Sequence, residues 1–297
     1  MDYWFHSFLS FIWGVIMAVV EFNNLSWAYS GYKTPILKNI NLKVNKGEFL
    51  GVMGNVGSGR TSFCTSLLGL IPHFYPGKMS GELIVDGLSV KESSISELST
   101  RVGLAFQSPI NQLSGAGMTV EEELAFGLEN LGVPRKEIIR RVNEMVKMVG
   151  LESFSKRSPL ELSGGQQQKV AIASVLIMNP KVLVLDEPTA QLDPLGTSQV
   201  FDLVKKLANK GMTIILVSNK IDYLAEFADR VAILKNSIVK VGSAREVLTN
   251  INLLKRNNLI PSTMTTLSYE LRKRKLWKGE LALNLKDAEE IVRKVIK

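Results

Sequence analysis

Hydrophobic residues recur along the chain with two spacings, which together predict a mixed α/β fold. Segments 19–29 and 37–44 are rich in β-branched and aromatic residues or alternate apolar with polar positions. Segment 80–90 carries an Asp-Gly turn, so all three segments predict antiparallel strands. Segment 48–53 is apolar almost throughout, which is typical of a strand buried on both faces. The antiparallel strands therefore lead into a buried central strand.

Between residues 120 and 154 the apolar positions follow the helical period instead. Pro134 precedes one helix in this region, and Gly150 is a typical helix end. The apolar positions of that helix are Ile138, Val142, Met145, Val146 and Val149. We expect a helical subdomain at about residues 108–175, inserted after the glycine-rich loop described below.

The start of the chain is unusually apolar. Segment 3–20 contains no charged residue and just reaches the minimum length of a membrane-spanning helix. A secretory signal is disfavoured, because Asp2 is acidic and no small-residue cleavage site follows. A spanning helix would also consume the beginning of the strand predicted at 19–29. We therefore expect either that the native protein starts at Met17 or that residues 1–16 form a loosely attached extension.

The composition is that of an ordinary globular protein with a mild basic excess. The 297 residues, 45% hydrophobic and 22% charged, suffice for one large domain or for a domain with an appendage. The net charge of +8 is compatible with nucleic acid or with an anionic membrane surface. No basic run lies among interleaved aromatic residues, and the densest cluster, 272–275, is typical of a solvated helix face, so we expect no nucleic-acid partner. One cysteine, Cys64, excludes an intramolecular disulfide, and His6 and His73 are too few and too isolated for a metal site.

The strongest chemical signal is a glycine-rich loop directly after the strand at 48–53. Its residues are Gly54, Asn55, Val56, Gly57, Ser58, Gly59, Arg60, Thr61 and Ser62. A helix-like run, 63–70, follows, and in this context backbone N–H groups surround phosphate oxygens at the positive end of the helix. The pattern predicts nucleotide binding with the Thr61 hydroxyl on Mg²⁺, although Arg60 stands where a lysine is usual. For this loop alone, an ordinary turn between a strand and a helix is the alternative.

Two further residues are candidates for the same site. Tyr29 ends the first predicted strand, and an aromatic ring there can stack on an adenine base, although it can equally be an ordinary strand residue. Gln107 follows a short apolar strand, 102–106, where its amide can ligate Mg²⁺ or orient water. By itself it is more typical of a loop residue.

Two stretches farther along strengthen the nucleotide interpretation. Ser163 is a candidate N-cap, and Gly164, Gly165 and Gln166 follow it into a helix predicted at 170–178, with glycine N–H groups free for an anion. An apolar strand, 181–185, then ends in two carboxylates. Asp186 suits Mg²⁺, and Glu187 points elsewhere, where it can polarise an attacking water.

With these motifs in this order, the chain resembles the ATP-binding cassette family across roughly residues 19–247. The resemblance assigns 54–62 to Walker A, Gln107 to the Q-loop, 163–166 to the signature motif, Asp186 to Walker B, Glu187 to the catalytic glutamate, and Ala190 to Asp193 to the D-loop. It implies ATP as ligand, with Mg²⁺ held by Thr61, Gln107 and Asp186. It also implies an α/β P-loop nucleotide-binding domain over residues 17–247, with a mixed β core, an antiparallel β subdomain and a helical subdomain. A small C-terminal extension, 248–297, follows.

A narrower resemblance concerns the energy-coupling factor ATPases of cobalt, nickel and vitamin importers. It rests on segments 127–134 and 70–77 and on the tail, with Leu259-Ile260-Pro261 and 267–271. It implies a peripheral ATPase on the cytoplasmic face of the membrane, in contact with an integral membrane component through 108–126. A separate membrane subunit captures the substrate, and the C-terminal extension helps two ATPase subunits to dimerise.

Two residues depart from the family pattern. Arg60 keeps the charge of the Walker A lysine, but its planar guanidinium is wider and prefers bidentate geometry. Asn219 occupies the position of the switch histidine, where it can donate a hydrogen bond but cannot carry a positive charge. In this family each ATP lies between one subunit's Walker and switch residues and the other's signature motif. The intact 163–166 therefore suggests the degenerate half of a heterodimer, unless both substitutions are tolerated.

Three functions remain open from the sequence. The first is an ATPase subunit of an importer, and the second is a nucleotide-sensing or structural subunit that binds ATP without turning it over. The third is a cassette protein of DNA repair or translation. Repair members carry long coiled coils and translation members usually carry two cassettes, and the chain shows neither.

Overall fold

The computed structural model describes residues 18–296, so the predicted extension at 1–16 and the alternative start at Met17 lie outside the described residues. The first element is strand β1, Ala18–Tyr29. It pairs antiparallel with strand β2, Leu37–Asn45, on one side and with strand β4, Gly77–Val85, on the other. The strand predicted at 19–29 is therefore confirmed, and Val20 lies in that strand and not in a helix.

The strands form two sheets. The smaller sheet has the order β2-β1-β4-β5, with β5 at Leu88–Ser89. The larger has the order β10-β9-β3-β8-β7-β6. Its strands are β3 (Phe49–Met53), β6 (Val102–Ala105), β7 (Val182–Asp186), β8 (Thr213–Val217), β9 (Arg230–Lys235) and β10 (Ser237–Ser243). All neighbours in this sheet are parallel except β9 and β10. Every residue of β3, β6, β7 and β8 is buried, which explains their continuous apolar runs.

Two turns connect the strands of these sheets in different ways. Asp86 and Gly87 have φ angles of 47° and 79°, which is the backbone of a tight hairpin turn between β4 and β5. The turn after β2 leads instead from the small sheet to the large one, where Glu48 accepts a hydrogen bond from the N–H of Asn45 at 2.8 Å. Between the sheets, the ring of Phe22 stacks on that of Phe63 at a centroid distance of 4.8 Å. The small sheet therefore packs against the helix that follows the glycine-rich loop.

Helices cover both faces of the large sheet. The region 109–176 consists of helices and the turns between them. The helices before this region are α1 (Arg60–Leu67), α2 (Leu70–His73) and α3 (Ile95–Ser99). Within it lie α4 (Val120–Asn130), α5 (Arg135–Val149) and α6 (Gly164–Leu176), with single 3₁₀ turns at Pro109–Asn111, Glu152–Phe154 and Pro159–Glu161. After it come α7 (Pro194–Asn209), α8 (Ile221–Phe227), α9 (Ala244–Leu248), α10 (Ile251–Arg256), α11 (Thr263–Lys273) and α12 (Leu285–Ile296).

Two helix boundaries differ from the sequence patterns for a local reason. Helix α6 begins at Gly164 instead of Val170, because Ser163 and Gln166 form a reciprocal capping box that starts the helix within the glycine motif. Helix α1 ends at Leu67, since Gly69 has a φ of 76° and interrupts the helical run. The predicted boundaries of α5 are confirmed, with Pro134 before it and Gly150 in the left-handed conformation after it.

The parallel order of the large sheet brings the predicted motifs together. Strands β3, β8, β7 and β6 are consecutive neighbours and run in the same direction. Their carboxyl ends therefore meet at one edge, which is where open α/β sheets bind ligands. The segments that leave this edge are the glycine-rich loop, Asn219, Asp186 with Glu187, and Gln107.

The C-terminal helices divide between two cores. Leu254 and Leu259 belong to the core of the large sheet and the helical region. A separate small cluster lies in the region of α11 and α12, with Ala282, Ala288 and Ile291 at its centre. Among residues 18–296, the helices include none with both the length and the apolar character needed to cross a bilayer.

Candidate active site

The loop 54–59 has the backbone shape of a phosphate cradle. Gly57 and Gly59 have φ angles of 80° and 95°, which favour glycine, and a Cβ atom on Gly59 would lie 2.8 Å from the carbonyl oxygen of Ile36. A Cβ atom on Gly54 would lie 2.5 Å from the carbonyl oxygen of Leu234. The glycines therefore let the loop fold back closely on the sheet edge before α1 begins.

One side chain in the loop fits a phosphate ligand. The hydroxyl of Ser58 is buried and has no hydrogen-bond partner among residues 18–296. An unpaired buried hydroxyl is costly unless a ligand satisfies it. Gly57, beside it, has open space where a side chain would be. The loop thus offers an orphaned donor and room for a phosphate group.

The loop is held from outside by Asn236, a residue that the sequence analysis did not single out. The N–H of Asn236 donates to the carbonyl of Ser58 at 2.8 Å, and its side-chain amide donates to the carbonyls of Ile36 and Gly57 at 3.0 and 3.4 Å. These bonds engage the carbonyls of Gly57 and Ser58 and so fix the loop to the turn between β9 and β10. Asn236 itself has a φ of 59°, a conformation that asparagine tolerates in tight turns. An asparagine between two strands is therefore a weak signal of such a turn in the sequence.

The three predicted Mg²⁺ ligands line one cavity of about 440 Å³. They are Thr61, Gln107 and Asp186, and the D-loop residue Gln191 lines the same cavity. A hydroxyl, an amide oxygen and a carboxylate are the hard oxygen donors that Mg²⁺ accepts in proteins. The chemistry of these residues therefore fits a magnesium ion whose remaining ligands come from phosphate and water.

Asp186 is buried, with 5% of its surface exposed. Burial raises the pKa of its carboxyl above the ordinary value, while a hydrogen bond from the Thr61 hydroxyl and the charge of Arg60 act in the opposite direction. A cation placed in the neighbouring cavity would therefore strongly stabilise the charged form of this desolvated carboxylate at the end of β7.

The segment that carries Gln107 is tied to helix α6 by two other glutamines. Gln112 accepts a hydrogen bond from the N–H of Phe106 at 2.9 Å and donates to the carbonyl of Ala171 in α6 at 2.9 Å. Gln168, also in α6, donates to the carbonyl of Phe106 at 3.4 Å. Gln107 itself is exposed, so its side chain is free to reach the cavity. Sequence periodicity gave no signal for Gln112 or Gln168, because each bonds to a backbone group about 60 residues away that no local pattern identifies.

Arg60 and Glu187 contact each other directly. Nη1 of Arg60 lies 2.5 Å from Oε1 of Glu187, and the two side chains are only 14% and 15% exposed. Glu187 has a φ of 47°, and its N–H donates to the carbonyl of Val217 at the end of β8 at 2.9 Å. The guanidinium of the phosphate loop thus neutralises the carboxylate that the family resemblance assigns to catalysis.

Asn219 is bound to the same loop. Its side-chain oxygen accepts from the N–H of Gly54 at 3.3 Å, and its side-chain amide donates to the carbonyl of Gly54 at 3.0 Å. Both functional groups of the amide therefore contact loop backbone. The neighbouring cation, Lys220, donates to the carbonyl of Thr189 at 3.1 Å and to the hydroxyl of Thr197 at 3.0 Å. Lys220 consequently points to the D-loop segment and does not restore the missing charge at position 219.

The signature residues, 163–166, lie at the start of α6, apart from the cavity at Asp186. The hydroxyl of Ser163 accepts from the N–H of Gln166 at 3.4 Å, and the side chain of Gln166 accepts from the N–H of Ser163 at 3.0 Å. Gly165 faces Gly196 at the start of α7, the helix that Asp193 caps by accepting from the N–H of Gly196 at 2.7 Å. Within the described part of the chain, residues 163–166 do not line the cavity at Asp186. The structure therefore does not bring the signature motif into the cavity formed by the chain's own Mg²⁺ candidates.

Tyr29 lies beside the loop. Its hydroxyl is 3.0 Å from the hydroxyl of Ser62 in α1, and its ring contacts Tyr75 edge-on at a centroid distance of 6.0 Å. The ring is half-buried at the flank of the phosphate loop. Adenine stacking on Tyr29 stays a prediction.

Comparison with known proteins places this geometry in context. The model of the ABC transporter family matches residues 37–190. The chain is 48% identical over 260 residues to a putative ABC transporter ATP-binding protein of Pyrococcus abyssi, which covers 87% of this chain and 92% of the relative. It is 40% identical over 246 residues to the energy-coupling factor transporter ATP-binding protein EcfA of Methanocaldococcus jannaschii, covering 82% and 85%. The structure is similar to that of CbiO1 from Clostridium perfringens, described as part of the ABC transporter complex CbiONQ. The TM-score is 0.71 at 32% identity, over 84% of this chain and 98% of the other.

Proposed function

Because this chain belongs to the ABC transporter family, as an ATP-binding subunit of the energy-coupling factor type, we propose that it is the degenerate half of an ATPase heterodimer that drives uptake of a metal ion or a vitamin. The observation that carries this proposal is the contact between Arg60 and Glu187. In this contact Arg60, which stands where a lysine would bind the phosphates, pairs with Glu187, the candidate catalytic base. The predicted fold class is confirmed by the family match and by the related structure.

The loop binds ATP in the proposal through its backbone and two side chains. N–H groups of 54–59 and the hydroxyl of Ser58 bind phosphate oxygens, and Tyr29 contacts the base. Thr61, Gln107 and Asp186 would hold Mg²⁺. When bound, that ion neutralises charge on the β- and γ-phosphates. In a competent site, Glu187 would accept a proton from the attacking water.

The chain's own site is degenerate in the proposal for two reasons. Glu187 is paired with the guanidinium of Arg60 at 2.5 Å, so its carboxylate is already engaged and is not free to contact an attacking water. Asn219 offers a neutral amide where charge develops on the phosphate, and a charge-assisted hydrogen bond is about twice as strong as a neutral one. Both departures lie on the Walker side of the site. The signature motif of this chain is intact and would complete the ATP site of the partner subunit.

The partners in the proposal are a second ATPase subunit of different sequence, an integral membrane component and a separate substrate-binding membrane subunit. CbiO1, the related structure, is described as part of the ABC transporter complex CbiONQ. The segment after Gln107 exposes Ile110, Met118 and Phe126 by 57%, 80% and 38% of their surfaces, as expected of a surface that docks on another protein. The subunit would lie on the cytoplasmic face of the membrane.

The deciding experiment is steady-state ATP hydrolysis by the assembled complex with Glu187→Gln introduced in this subunit alone. Little change in rate is expected, because the site built on Arg60 and Asn219 is already idle. The matched control places the corresponding substitution in the partner ATPase and should reduce the rate to background. A collapse of activity with Glu187→Gln in this subunit would show a working ATPase site and overturn the degenerate assignment.

A second candidate function is a subunit that binds ATP as a sensor or a structural element. The hydrogen bonds of Asn219 to Gly54 favour it, since they tie the switch position to the loop without a charged group. The same assay separates the two. A complex that binds ATP but hydrolyses none at either site supports the sensor, whereas hydrolysis at the partner's site supports the transporter ATPase.

A further inference from the structure

The phosphate loop contacts the part of the chain that follows the last strand. The side-chain amide of Asn55 donates a hydrogen bond to the backbone carbonyl of Asn257, with a distance of 2.7 Å from Nδ2 to the oxygen. Asn55 is the second residue of the loop, and Asn257 directly follows helix α10. This bond joins the phosphate loop to the segment that follows helix α10.

The carbonyl of Asn257 is well suited to accept this bond. The N–H of Asn257 donates to the carbonyl of Leu254 at 3.0 Å, and its side-chain amide donates to the carbonyl of Leu253 at 2.9 Å, so Asn257 closes the end of α10. Carbonyls at a helix end lack partners within the helix and lie at the negative end of its dipole. Asn257 is also buried, with 8% of its surface exposed. Asn55 therefore supplies a donor that water cannot readily replace.

The chain changes direction at this point. Asn258 has a φ of 56°, and Leu259 is anchored in the core of the large sheet. The segment 260–296, called here the C-terminal unit, begins after this turn and contains the small separate cluster around Ile291. It also contacts α9, where Arg245 donates to the carbonyl of Leu281 at 3.1 Å and to the carboxylate of Asp287 at 2.6 Å. Asn257 therefore lies at the start of the connection to the C-terminal unit, and a displacement of Asn257 would alter the position of that unit relative to α9.

Asn55 also takes part in the turn within the loop. Its carbonyl accepts a hydrogen bond from the N–H of Ser58 at 3.0 Å. The N–H of Ser58 is one of the groups that a bound phosphate would attract. A phosphate bound to the N–H of Ser58 would therefore compete with the carbonyl of Asn55. The side chain of the same Asn55 binds Asn257.

We propose that Asn55 is a positioning residue that couples occupancy of the phosphate loop by ATP to the position of the C-terminal unit. The inference rests on the proposed use of this loop as the ATP site. Such coupling is reciprocal, so a partner that fixes the C-terminal unit would change the affinity of the loop for ATP by the same factor.

The test is hydrogen exchange, measured by mass spectrometry on the full chain with and without Mg²⁺ and a non-hydrolysable ATP analogue. In the wild type, the nucleotide is expected to slow exchange in 54–62 and to change exchange in 257–273. Asn55→Ala removes the donor to Asn257, so at nucleotide concentrations that still protect the loop of this variant the response of the C-terminal segment should be lost. Asn252→Ala, at an exposed asparagine on the same helix, is the control and should keep both responses.

A nucleotide-free measurement tests the contact even if Asn55→Ala weakens ATP binding. Without nucleotide, this variant should exchange about fivefold faster than the wild type around residues 257–265, as expected from the loss of one neutral hydrogen bond. Unchanged exchange there, or a C-terminal response to nucleotide equal to that of the wild type, would overturn the coupling. A wild-type loop that the nucleotide does not protect would instead count against ATP binding at this loop.

Discussion

The guanidinium of Arg60 and the carboxylate of Glu187 form a largely buried ion pair, 2.5 Å between Nη1 and Oε1. Breaking such a pair by removing one partner leaves an uncompensated charge, so each residue holds the other in place. Arg60 is the first residue of α1, and Glu187 directly follows β7. The pair therefore joins the start of α1, next to the phosphate loop, to the end of β7.

The first prediction is that the double substitution Arg60→Lys with Asn219→His activates this site. Lysine is a compact point charge that releases Glu187 from a fork-shaped partner, and histidine can carry a charge toward the phosphate. We expect hydrolysis to rise by about 10²-fold, the scale on which one electrostatic donor acts in a transition state. The measurement is ATP turnover in a complex whose partner site has been inactivated.

Each single substitution in that experiment is informative as a control. Asn219→His alone should give a smaller gain, because Arg60 still engages Glu187. No gain from the double variant, with ATP still bound, would mean that the ion pair and Asn219 are not what limits this site.

The second prediction concerns the signature motif and uses the N-cap preference of helix α6. Ser163→Asp keeps a side chain that caps the helix well but places a negative charge where the partner's phosphate is expected. ATP hydrolysis by the complex should fall by roughly 10²-fold or more, since repulsion acts where charge develops. The melting temperature of the isolated subunit should stay close to that of the wild type.

Ser163→Thr is the matched control for that variant, because it keeps both the hydroxyl and the cap. It should retain most of the activity. Full activity of the complex with Ser163→Asp would show that this signature motif does not face a hydrolysing site.

The third prediction follows from the buried carboxyl of Asp186. Burial raises its pKa in the folded protein, so the stabilisation from this group is complete below its ordinary value of 3.8 and is lost as the pH rises through the raised value. At about pH 7 the nucleotide-free protein therefore carries an unfavourable buried charge. Asp186→Asn should raise the melting temperature at that pH, and its advantage should shrink as the pH is lowered toward the ordinary value.

Melting curves of wild type and Asp186→Asn between about pH 4 and pH 8 measure this difference directly. The same variant should lose the effect of Mg²⁺ on nucleotide binding, since an amide is a weaker ligand than a carboxylate. A stability difference that does not vary with pH would contradict the assignment of the raised pKa to Asp186.

The edge of the sheet on which the site lies was predictable from sequence, because it depends on patterns that act locally. Apolar runs followed by Asp186 and by Gln107 indicated buried strands with polar residues at their carboxyl ends. Gly57 and Gly59 occupy left-handed conformations that explain why the loop needs glycine. The capping box of Ser163 and Gln166 follows from residue types three positions apart.

The contacts across the site were not predictable, because they join residues far apart in the chain. The ion pair of Arg60 with Glu187 and the bonds of Asn236 to the loop depend on side-chain conformations that no local pattern encodes. The C-terminal helices show the same limit. An amphipathic pattern indicates an apolar face but not its partner, and Leu254 and Leu259 pack on the main core although they lie within the predicted extension.

The fourth prediction separates the two glycines of the signature motif by their packing. A Cβ atom on Gly165 would lie 2.9 Å from the Cα atom of Gly196, which is backbone at the start of α7 and cannot move without shifting that helix. A Cβ atom on Gly164 would lie 3.3 Å from a methyl group of Leu192, which is the flexible end of a side chain. Gly165→Ala should therefore lower the free energy of unfolding by about 1–3 kcal/mol, as overpacking does in other cores.

Gly164→Ala is the matched comparison, because alanine favours a helix over glycine by about 0.5–1 kcal/mol and only a side chain has to adjust. It should leave the free energy of unfolding unchanged or slightly higher. Chemical denaturation of the two variants beside the wild type measures both effects. Equal stability of the two variants would mean that α6 and α7 separate without cost. The close approach of Gly165 to Gly196 would then not hold the signature motif against the helix that Asp193 caps.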